Sequence, residues 1–379
     1  MARPRVRGSL ADVLPAAAVA LGAPQREVAW RLPEARRVVV VLVDGLGERQ
    51  LAARSGHAPR LRAMGAHGRV LAAGYPSTTA TSLASLGTGL LGGGHGLVGY
   101  QVRDPATGRL FNELGWEGGP DPRRWQSAPT VFEHLVGAGV AVTRVGPGHF
   151  DGSGLTEAAL RGGRYRSASG LDQRVQAALE ALRASPRALV YLYWGDLDRA
   201  GHTSGWASEA WVQELERIDS ALAQLAAGLP ADALMAVTAD HGMVDVPAGA
   251  RWDVAADAEL AAGVLLTGGE PRAPMLYCEP GAADDVAATW RERLGGVMTV
   301  LTRAEAVDAG WFGPVAEHVV PRIGDVVCAA TAAVSVHDSR VQRPLLMELV
   351  GMHGALTDDE VRVPLLLAGG RRVDLTRSD

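Results

Sequence analysis

Three short apolar runs in this chain each lead into an aspartate and a glycine. The runs cover residues 38–44, 188–196 and 233–243. Continuous apolar sequence, without alternation, is typical of strands that are buried on both faces of a parallel sheet. A glycine close to the strand end allows a tight turn into the next helix. The pattern therefore predicts an α/β fold in which functional groups collect at the carboxyl ends of the strands.

The segments between these runs carry both strand and helix patterns. Residues 74–100 combine a Ser/Thr cluster with many glycines, which predicts a helix start followed by a loop. Elsewhere, short apolar runs predict strands and helical spacing of apolar residues predicts helices. The strands are expected at 68–73, 140–146 and 363–368, and the helices at 129–138, 171–184 and 207–228.

The character of the sequence changes between residues 251 and 329. Short strand and helix patterns alternate there, and the stretch interrupts the series of polar strand ends. We therefore predict an inserted small α+β cap over 251–329 and a core formed by 1–250 and 330–379. Within the cap, strands are expected at 274–278 and 297–301, and helices at 282–294 and 303–309.

The composition excludes several classes of protein. With 379 residues, 47% of them hydrophobic and 21% charged, the chain has enough apolar sequence for a large globular core. Its net charge of −5 is spread without a basic cluster, which argues against nucleic-acid binding. The chain contains no lysine, so Schiff-base chemistry, a pyridoxal phosphate anchor and a lysine-bearing phosphate loop are excluded.

The sequence also predicts the environment of the protein. Cys278 and Cys328 lie far apart in apolar surroundings, which favours buried thiols over a disulfide or a cysteine-based zinc site. No run reaches the roughly 18 apolar residues of a membrane span. The basic and then apolar N-terminus faintly resembles a signal peptide, but Asp12 and Pro15 interrupt it. We expect an amphipathic N-terminal helix and a cytoplasmic protein, and nothing in the sequence indicates an oligomeric state.

Six Asp and His side chains are spaced as if to hold two metal ions. Aspartate oxygens and histidine nitrogens together suit zinc or a similar divalent ion. The first Asp–His pair of the set is separated by four residues, which places both side chains on one face of a helix. Each pair taken alone is more often a turn or a helix cap. Their joint placement at strand ends favours a metal centre formed by Asp44, Asp198, His202, Asp240, His241 and His353.

Thr79 is placed between a predicted strand and a predicted helix, where a nucleophile could act. Its hydroxyl would need a base or a metal for activation, and the N–H groups of the following helix start would bind a phosphate anion. From the local sequence alone, a cluster of helix-capping residues is the simpler interpretation. Four neighbours are equally good candidates there: Ser77, Thr78, Thr81 and Ser82.

Two other features are interpreted as structural or left open. Residues 87–92 read Gly-x-Gly-x-x-Gly, but they follow a helix rather than a strand, which argues against a dinucleotide site. His95 is a candidate either for support of the metal ligands or for anchoring its loop. The remaining histidines are interpreted as ordinary residues: His57, His67, His134, His149, His318 and His337.

Five segments together resemble the alkaline phosphatase superfamily, and within it the nucleotide pyrophosphatase/phosphodiesterase branch. They are VVVVLVDGLG, YPSTTATSLASLGTGLLGGGHGL, GDLDRAGH, TADHGM and GMHG. The TADHGM segment is the most specific, because it contains the Asp-His-Gly-Met signature. The resemblance covers nearly the whole chain. It implies an alkaline-phosphatase-like three-layer α/β/α sandwich with a mostly parallel central sheet and an inserted small cap.

The resemblance also implies roles for the residues singled out above. Thr79 would attack phosphorus and form a threonyl-phosphate in a two-metal, in-line displacement. The cofactors would be two divalent ions, with zinc expected. One ion would be held by Asp44, Thr79, Asp240 and His241, and the other by Asp198, His202 and His353.

Two departures from the family pattern concern the substrate. Relatives carry Phe-Pro-Asn after the threonine, whereas this chain has Ala80, Thr81 and Ser82. A ring that could stack on a nucleobase is therefore absent at position 80, and Ser82 becomes the candidate donor to a phosphoryl oxygen. We expect a metal-dependent phosphodiesterase or nucleotide pyrophosphatase acting on a small phosphate ester. A phosphomonoesterase, a phosphonate hydrolase and a non-catalytic metal- and phosphate-binding protein remain alternatives.

Overall fold

The computed structural model describes residues 8–342 and 344–377, in which strands alternate with helices along most of the chain. The strands are β1 Arg37–Val43, β2 Arg69–Ala72, β3 Gln101–Arg103, β4 Leu110–Asn112, β5 Ala141–Gly146, β6 Arg164–Ser167, β7 Ala188–Trp194, β8 Ala233–Thr238, β9 Val244–Asp245, β10 Arg251–Asp253, β11 Val264–Glu270, β12 Ala273–Cys278, β13 Met298–Thr302, β14 Val326–Ala330, β15 Ser335–His337, β16 Gly351–Met352 and β17 Arg362–Gly369. The helices are α1 Val13–Ala20, α2 Glu48–Ala53, α3 Pro59–Met64, α4 Thr79–Thr88, α5 Gly92–His95, α6 Pro122–Trp125, α7 Val131–Gly137, α8 Gly154–Ala159, α9 Leu171–Arg183, α10 Asp196–Ser204, α11 Glu209–Ala227, α12 Ala258–Ala261, α13 Ala283–Leu294, α14 Arg303–Asp308, α15 Pro344–Met347 and α16 Asp358–Val361.

The apolar runs form the centre of a seven-stranded sheet in the order β2-β17-β8-β1-β7-β5-β6. β1 is parallel to both β7 and β8, and β5 is parallel to both β6 and β7. β17 is antiparallel to both of its neighbours. Residues 38–43 of β1 are fully buried, as expected for a central strand with both faces covered. The predicted α/β fold with a mostly parallel central sheet is therefore confirmed.

Helices cover both faces of this sheet. On one face, Leu192 of β7 lies beside Val175 of α9 and Leu222 of α11. On the other face, Tyr191 lines a cavity with side chains of α4 and α8. Adjacent residues of a strand point to opposite faces, so these two helix groups lie on opposite sides. The result is three layers, with the sheet in the middle.

A second sheet is six-stranded and antiparallel, in the order β13-β14-β12-β11-β3-β4. The strands and helices predicted within 251–329 are present as β12, α13, β13 and α14, whereas β11 and β14 were not predicted. Strands β3 and β4, three residues each, come from outside that range. The division into a core and an inserted cap at 251–329 stays a prediction. A cap built on this sheet would also have to include residues 101–112.

The N-terminal helix is present, but the prediction that it is amphipathic was wrong. Seven of the eight residues of α1 are buried. The helix contacts α4, α7 and β1, so protein surrounds it where solvent was expected. The basic residues 1–7 lie outside the described part of the chain. In the described part, no helix is long and apolar enough to cross a membrane. Cys278 and Cys328 are buried free thiols, as predicted.

A buried ion pair ties the two sheets together. Arg272, in the turn between β11 and β12, donates from Nε and Nη2 to the Glu360 carboxylate at 2.7 and 2.8 Å. Both side chains are fully buried. Glu360 also accepts a hydrogen bond from the Ala355 N–H at 2.9 Å, close to the segment that carries His353. The pair therefore fixes the antiparallel sheet relative to the loop that delivers this predicted metal ligand.

Replacing Arg272 by methionine should lower the free energy of unfolding by about 3–5 kcal/mol, because the Glu360 carboxylate would be left buried without its partner. Urea denaturation would measure the change. Arg49→Met is the matched control, since Arg49 pairs with Asp358 and Asp359 of the same helix but is half exposed. The control should cost less than about 1 kcal/mol. Similar losses for both variants would contradict a special role of the buried pair.

Candidate metal centre

Three neighbouring parallel strands deliver the three predicted carboxylates to one edge of the central sheet. Asp44 directly follows β1, and Asp240 follows β8 by two residues. Asp198 lies in the first turn of α10, which begins two residues after β7. Because β8, β1 and β7 are adjacent and parallel, their carboxyl ends meet. The prediction that these strand ends converge is confirmed.

Gly45 permits the close approach of these groups. Its φ of +73° lies in the left-handed region that favours glycine. A side chain there would come within 3.0 Å of the Asp198 Cβ. The Gly45 N–H also donates to Oδ1 of Asp240 at 3.1 Å. The glycine after the first strand thus allows all three carboxylates to lie together.

One group of ligand atoms surrounds Nε2 of His241. This nitrogen lies 3.3 Å from Oδ1 of Asp44 and 3.5 Å from Oδ2 of Asp240. The hydroxyl of Thr79, the first residue of α4, lies 3.3 Å from the same nitrogen. All four side chains are buried. The structure therefore brings together the residues predicted for the first ion.

A second group adjoins the first. Nε2 of His202 lies 3.3 Å from Oδ2 of Asp198 and 3.3 Å from Nε2 of His353. Asp198 and His202 lie on one face of α10, as their four-residue spacing predicted. The ring of His353 stacks on that of His241 with 3.6 Å between centroids. Ligand atoms of Asp198, His241 and His353 all lie within 4.8 Å of one another, so His241 stands between the two groups.

His353 reaches this cluster through a short antiparallel strand pair. β16, which directly precedes it, pairs with β9, which follows His241 by three residues. The Nδ1 of His353 donates to the backbone carbonyl of Ser77 at 2.9 Å. The Ser77 N–H in turn donates to the Gly354 carbonyl at 3.0 Å. The last ligand and the start of α4 are thereby held to each other.

The chemistry of the donor set fits divalent cations. Within the described part of the chain, three buried carboxylate oxygens of the cluster have no hydrogen-bond partner: Oδ1 of Asp44, Oδ1 of Asp198 and Oδ2 of Asp240. The Nδ1 of each histidine donates to a backbone carbonyl, at 2.7 Å for His202, 3.0 Å for His241 and 2.9 Å for His353. The lone pairs of the Nε2 atoms therefore face the cluster. Such a set of acceptors repels itself unless cations lie among them.

Two pKa shifts in the cluster lead to the same conclusion, although in His202 burial is outweighed by the charge and hydrogen bonds of its neighbours, chiefly Asp198, and the pKa rises to about 9. Burial, and then the charges of Asp240 and Asp198, raise the pKa of Asp44 well above its usual range. Burial and the neighbouring imidazoles of His241 and His202 lower the pKa of His353 well below its usual range. Neutral histidine is the form that ligates metals. Bound divalent ions would offset the repulsion between the carboxylates.

Tyr193 supports the cluster and was missed by the sequence analysis. Its hydroxyl donates to Oδ2 of Asp44 at 2.5 Å. The bond leaves Oδ1 as the oxygen directed at the ligand group. Tyr193 itself was the available signal in the sequence. It lies one residue before the end of β7, next to the polar strand ends, and its hydroxyl needs a polar partner inside the protein.

Ser82 lies beside the cluster with its hydroxyl hydrogen already engaged. The hydroxyl donates to the backbone carbonyl of Asp240 at 2.9 Å, and the side chain is fully buried. In the described part of the chain, Ser82 lines neither of the two cavities next to Thr79. The contact helps to hold the end of β8 in place. Its predicted contact with a phosphoryl oxygen stays a prediction.

Two cavities flank Thr79. The first, about 210 Å³, has aromatic and aliphatic walls that include side chains of β5, β6, β7, α4 and α8. The second, about 240 Å³, is lined by Asp198, His202 and His353 together with Glu270 of β11. Burial, partly offset by a hydrogen bond with Thr78, raises the pKa of Glu270 to about 8. Beyond the predicted metal ligands, Thr79 and the alternative nucleophile Thr78, sequence reasoning identified no residue of these cavity walls as functional.

His95 anchors its own loop and does not contact the ligands. Its Nδ1 accepts from the Leu97 N–H at 3.1 Å, and its Nε2 lies 3.0 Å from the Ser85 hydroxyl. Burial lowers the pKa of His95 to about 3, so the ring is neutral. The Gly-x-Gly-x-x-Gly run ends α4 at Gly89, whose φ is +73°. Both features therefore have structural roles.

Replacing Tyr193 by phenylalanine should weaken zinc binding about 10- to 100-fold, because Asp44 would lose the hydrogen bond that orients it. Competition with a chromogenic chelator would measure the affinity. Tyr165→Phe is the matched control, since the Tyr165 hydroxyl donates to the Pro147 carbonyl at 2.7 Å and touches no ligand. An equal loss in both variants, or none in Tyr193→Phe, would contradict the supporting role.

Comparison with known sequences places the chain in a family. A family model described as type I phosphodiesterase / nucleotide pyrophosphatase matches residues 38–356. The mouse ectonucleotide pyrophosphatase/phosphodiesterase family member 3 is 25% identical over 237 residues, which are 58% of this chain and 26% of that protein. The phosphopentomutase of Anaeromyxobacter dehalogenans strain 2CP-C is 40% identical over 118 residues, which are 30% of this chain and 28% of that protein. The chain thus spans about a quarter of the length of these curated relatives.

Comparison with solved structures agrees on the fold. Inactive murine ectonucleotide pyrophosphatase/phosphodiesterase 5 in complex with AMP superposes with a TM-score of 0.70 at 20% identity, covering 88% of each chain. Phosphonoacetate hydrolase from Sinorhizobium meliloti 1021 in complex with phosphonoformate superposes with a TM-score of 0.68 at 21% identity, covering 89% of this chain and 91% of the other. The chain belongs to the type I phosphodiesterase / nucleotide pyrophosphatase family of the alkaline phosphatase superfamily, a family of phosphoric ester hydrolases.

Proposed function

We propose that this protein hydrolyses phosphodiester or pyrophosphate bonds of small molecules, through a threonyl-phosphate intermediate at a two-zinc centre. The observation that carries the proposal is the position of the Thr79 hydroxyl. It lies 3.3 Å from Nε2 of His241, within the cluster of unpartnered carboxylate oxygens. It also lines both cavities, so a phosphorus atom beside it would have room for substituents on two sides.

The start of α4 suits a phosphoryl group. Thr79 is the first residue of this ten-residue helix, and the preceding Thr78 forms no side-chain cap. The first N–H groups of a helix have no partner within it, and together with the helix dipole they favour an anion. The Thr79 hydroxyl would therefore face the phosphorus atom while these N–H groups bind the phosphoryl oxygens. This arrangement supports attack by Thr79 in preference to its neighbours.

The ligand residues divide between two proposed ions. Asp44, Asp240 and His241 would hold one ion together with Thr79, and Asp198, His202 and His353 would hold the other. Zinc suits this set of oxygen and nitrogen donors. When bound, two such ions would lower the pKa of the Thr79 hydroxyl, neutralise charge on the phosphoryl group and stabilise the leaving oxygen.

The chain's own residues supply the nucleophile and its orientation. Thr79 Oγ1 would form a bond to phosphorus as the ester oxygen departs, and water would later break that bond and regenerate the hydroxyl. Tyr193 and the backbone carbonyls that accept from the histidines would keep the ligands in place. Because the ligand side chains are buried, their electrostatic interactions with a phosphoryl group would be stronger than in water.

A phosphonate hydrolase or phosphomonoesterase on the same scaffold is the second candidate. Ala80 offers no ring for a nucleobase, so nothing at that position favours a nucleotide. The phosphonoacetate hydrolase of Sinorhizobium meliloti shares the fold at a TM-score of 0.68. The two candidates differ in whether the preferred substrate is a diester or carries a terminal phosphoryl group.

The purified chain should contain two zinc ions and cleave bis-p-nitrophenyl phosphate, and chelation should abolish cleavage until zinc is restored. Metal analysis and release of p-nitrophenol would measure both. A higher kcat/KM for the monoester p-nitrophenyl phosphate would favour the second candidate. Two metals without turnover of any phosphate or phosphonate ester would indicate a binding protein and contradict the proposal.

Thr79→Ala should lower kcat for the diester by about three orders of magnitude or more while the chain stays folded and retains metal, because the nucleophile is lost. Steady-state kinetics with metal analysis would test this. Thr88→Ala is the matched control, since it removes the same atoms from the other end of α4, where the hydroxyl donates to the Ala84 carbonyl. Activity that survives in Thr79→Ala would show that a neighbour such as Thr78, or water, attacks phosphorus.

A further inference from the structure

A buried arginine with unpartnered nitrogens lies in the first cavity beside Thr79. Arg144 is only 7% exposed, yet its Nε and Nη1 form no hydrogen bond with any described residue. It lines the same cavity as Thr79 and Tyr193, the residues next to the Asp44 ligand group. The predicted phosphoryl position and this guanidinium therefore adjoin the same cavity.

The sheet register fixes where Arg144 points. In β5 it pairs with Tyr165 of β6 on one side and with Tyr191 of β7 on the other. Paired residues of neighbouring strands share a face, so Arg144 lies between two tyrosines on one face of the sheet. It lies 5.5 Å from the centre of the Tyr165 ring, a cation–π contact. The Tyr191 hydroxyl is also buried without a hydrogen-bond partner.

No carboxylate in the described ranges forms an ion pair with Arg144. Among the described residues that line the cavity, none is an aspartate or a glutamate. Asp151 and Glu157 lie close enough to influence Arg144, but Asp151 is exposed and Glu157 is hydrogen-bonded to Arg123. Burial lowers the pKa of Arg144, as expected for a charge without a partner. An apolar side chain of similar size would be more stable here, so the fold alone does not account for the arginine.

We infer that this cavity binds a second anionic group of the substrate, a carboxylate or a second phosphoryl group, paired with Arg144 and hydrogen-bonded by Tyr191. The anion would belong to the substituent on phosphorus that enters the aromatic cavity while Thr79 faces the phosphorus itself. The inference deepens the proposed function and rests on it. With such an anion site, the cavity would favour substrates with two separate negative groups over simple aryl or alkyl esters.

An aromatic pocket for a nucleobase is the alternative occupant of the cavity. Tyr165, Phe150 and His149 offer rings that could stack on a base. A base would not neutralise the guanidinium, so this alternative leaves the buried charge without a partner. The binding experiment below separates the two, since only a second anion makes affinity depend on the charge of Arg144.

The test compares three phosphonates that differ only in a second anion: methylphosphonate with none, phosphonoacetate with a carboxylate, and methylenediphosphonate with a second phosphoryl group. Calorimetry on the zinc-loaded Thr79→Ala chain would measure Kd without turnover. At least one of the two probes that carry a second anionic group should bind about 30-fold tighter than methylphosphonate. Arg144→Gln should reduce that ratio to less than about threefold, and Arg144→Lys should restore part of it.

The ratio of the Kd of methylphosphonate to the Kd of the tighter probe with a second anionic group decides the inference. A ratio near one in the chain with Arg144, or a large ratio that persists in Arg144→Gln, would overturn it. The probe with the larger Arg144-dependent ratio identifies the anion as carboxylate or phosphoryl. Failure of all three probes to bind would overturn both this inference and the proposed function. Arg144-dependent binding in a chain that cleaves no phosphate or phosphonate ester would overturn the proposed function alone.

The melting temperature of the ligand-free chain provides a control for folding. Arg144→Gln should melt no lower than the parent chain, because an unpaired buried charge has been removed. A lower melting temperature together with an unchanged binding ratio would show that Arg144 is structural and would overturn the inference.

Discussion

Repulsion among Asp44, Asp198 and Asp240 is the constraint on which this structure depends. The three carboxylates lie at one sheet edge, and each has a buried oxygen without a hydrogen-bond partner. Hydrophobic burial of the sheet provides the free energy that holds them there, because β1 is covered on both faces and cannot move without exposing its core. The site is in this sense a locally unfavourable arrangement imposed by a favourable fold, a combination typical of metal centres.

The elements that close the site resist the same repulsion. The β9–β16 pair brings His353 against His241, and its Nδ1 bond to Ser77 joins that loop to the start of α4. The Arg272–Glu360 pair then fixes the segment after His353 to the second sheet. These contacts are distant in sequence but adjacent in space. They explain how predicted ligands from four separate segments are held at defined distances from one another.

The sequence predicted this architecture where local pattern and tertiary context agree. The runs that became β1, β7 and β8 are apolar throughout, and only a buried parallel sheet accommodates them. Strands β3 and β4 have three residues each, too short for a periodic signal, so their place in the second sheet was not predictable. The helix α1 was judged amphipathic because its burial depends on α4 and α7, which local sequence does not reveal.

The same distinction applies to the site. The metal ligands are visible in sequence because Asp and His stand at strand ends, whereas Tyr193 and Arg144 lie inside strands and gain their roles from neighbours. Arg144 in particular differs from an ordinary core residue only through the missing partner for its charge, which a structure alone can show. Family membership therefore accounts for the cluster of predicted metal ligands around Thr79. On the inference made above, Arg144 and the other residues of the adjoining cavity would determine which substituent on phosphorus this chain accepts.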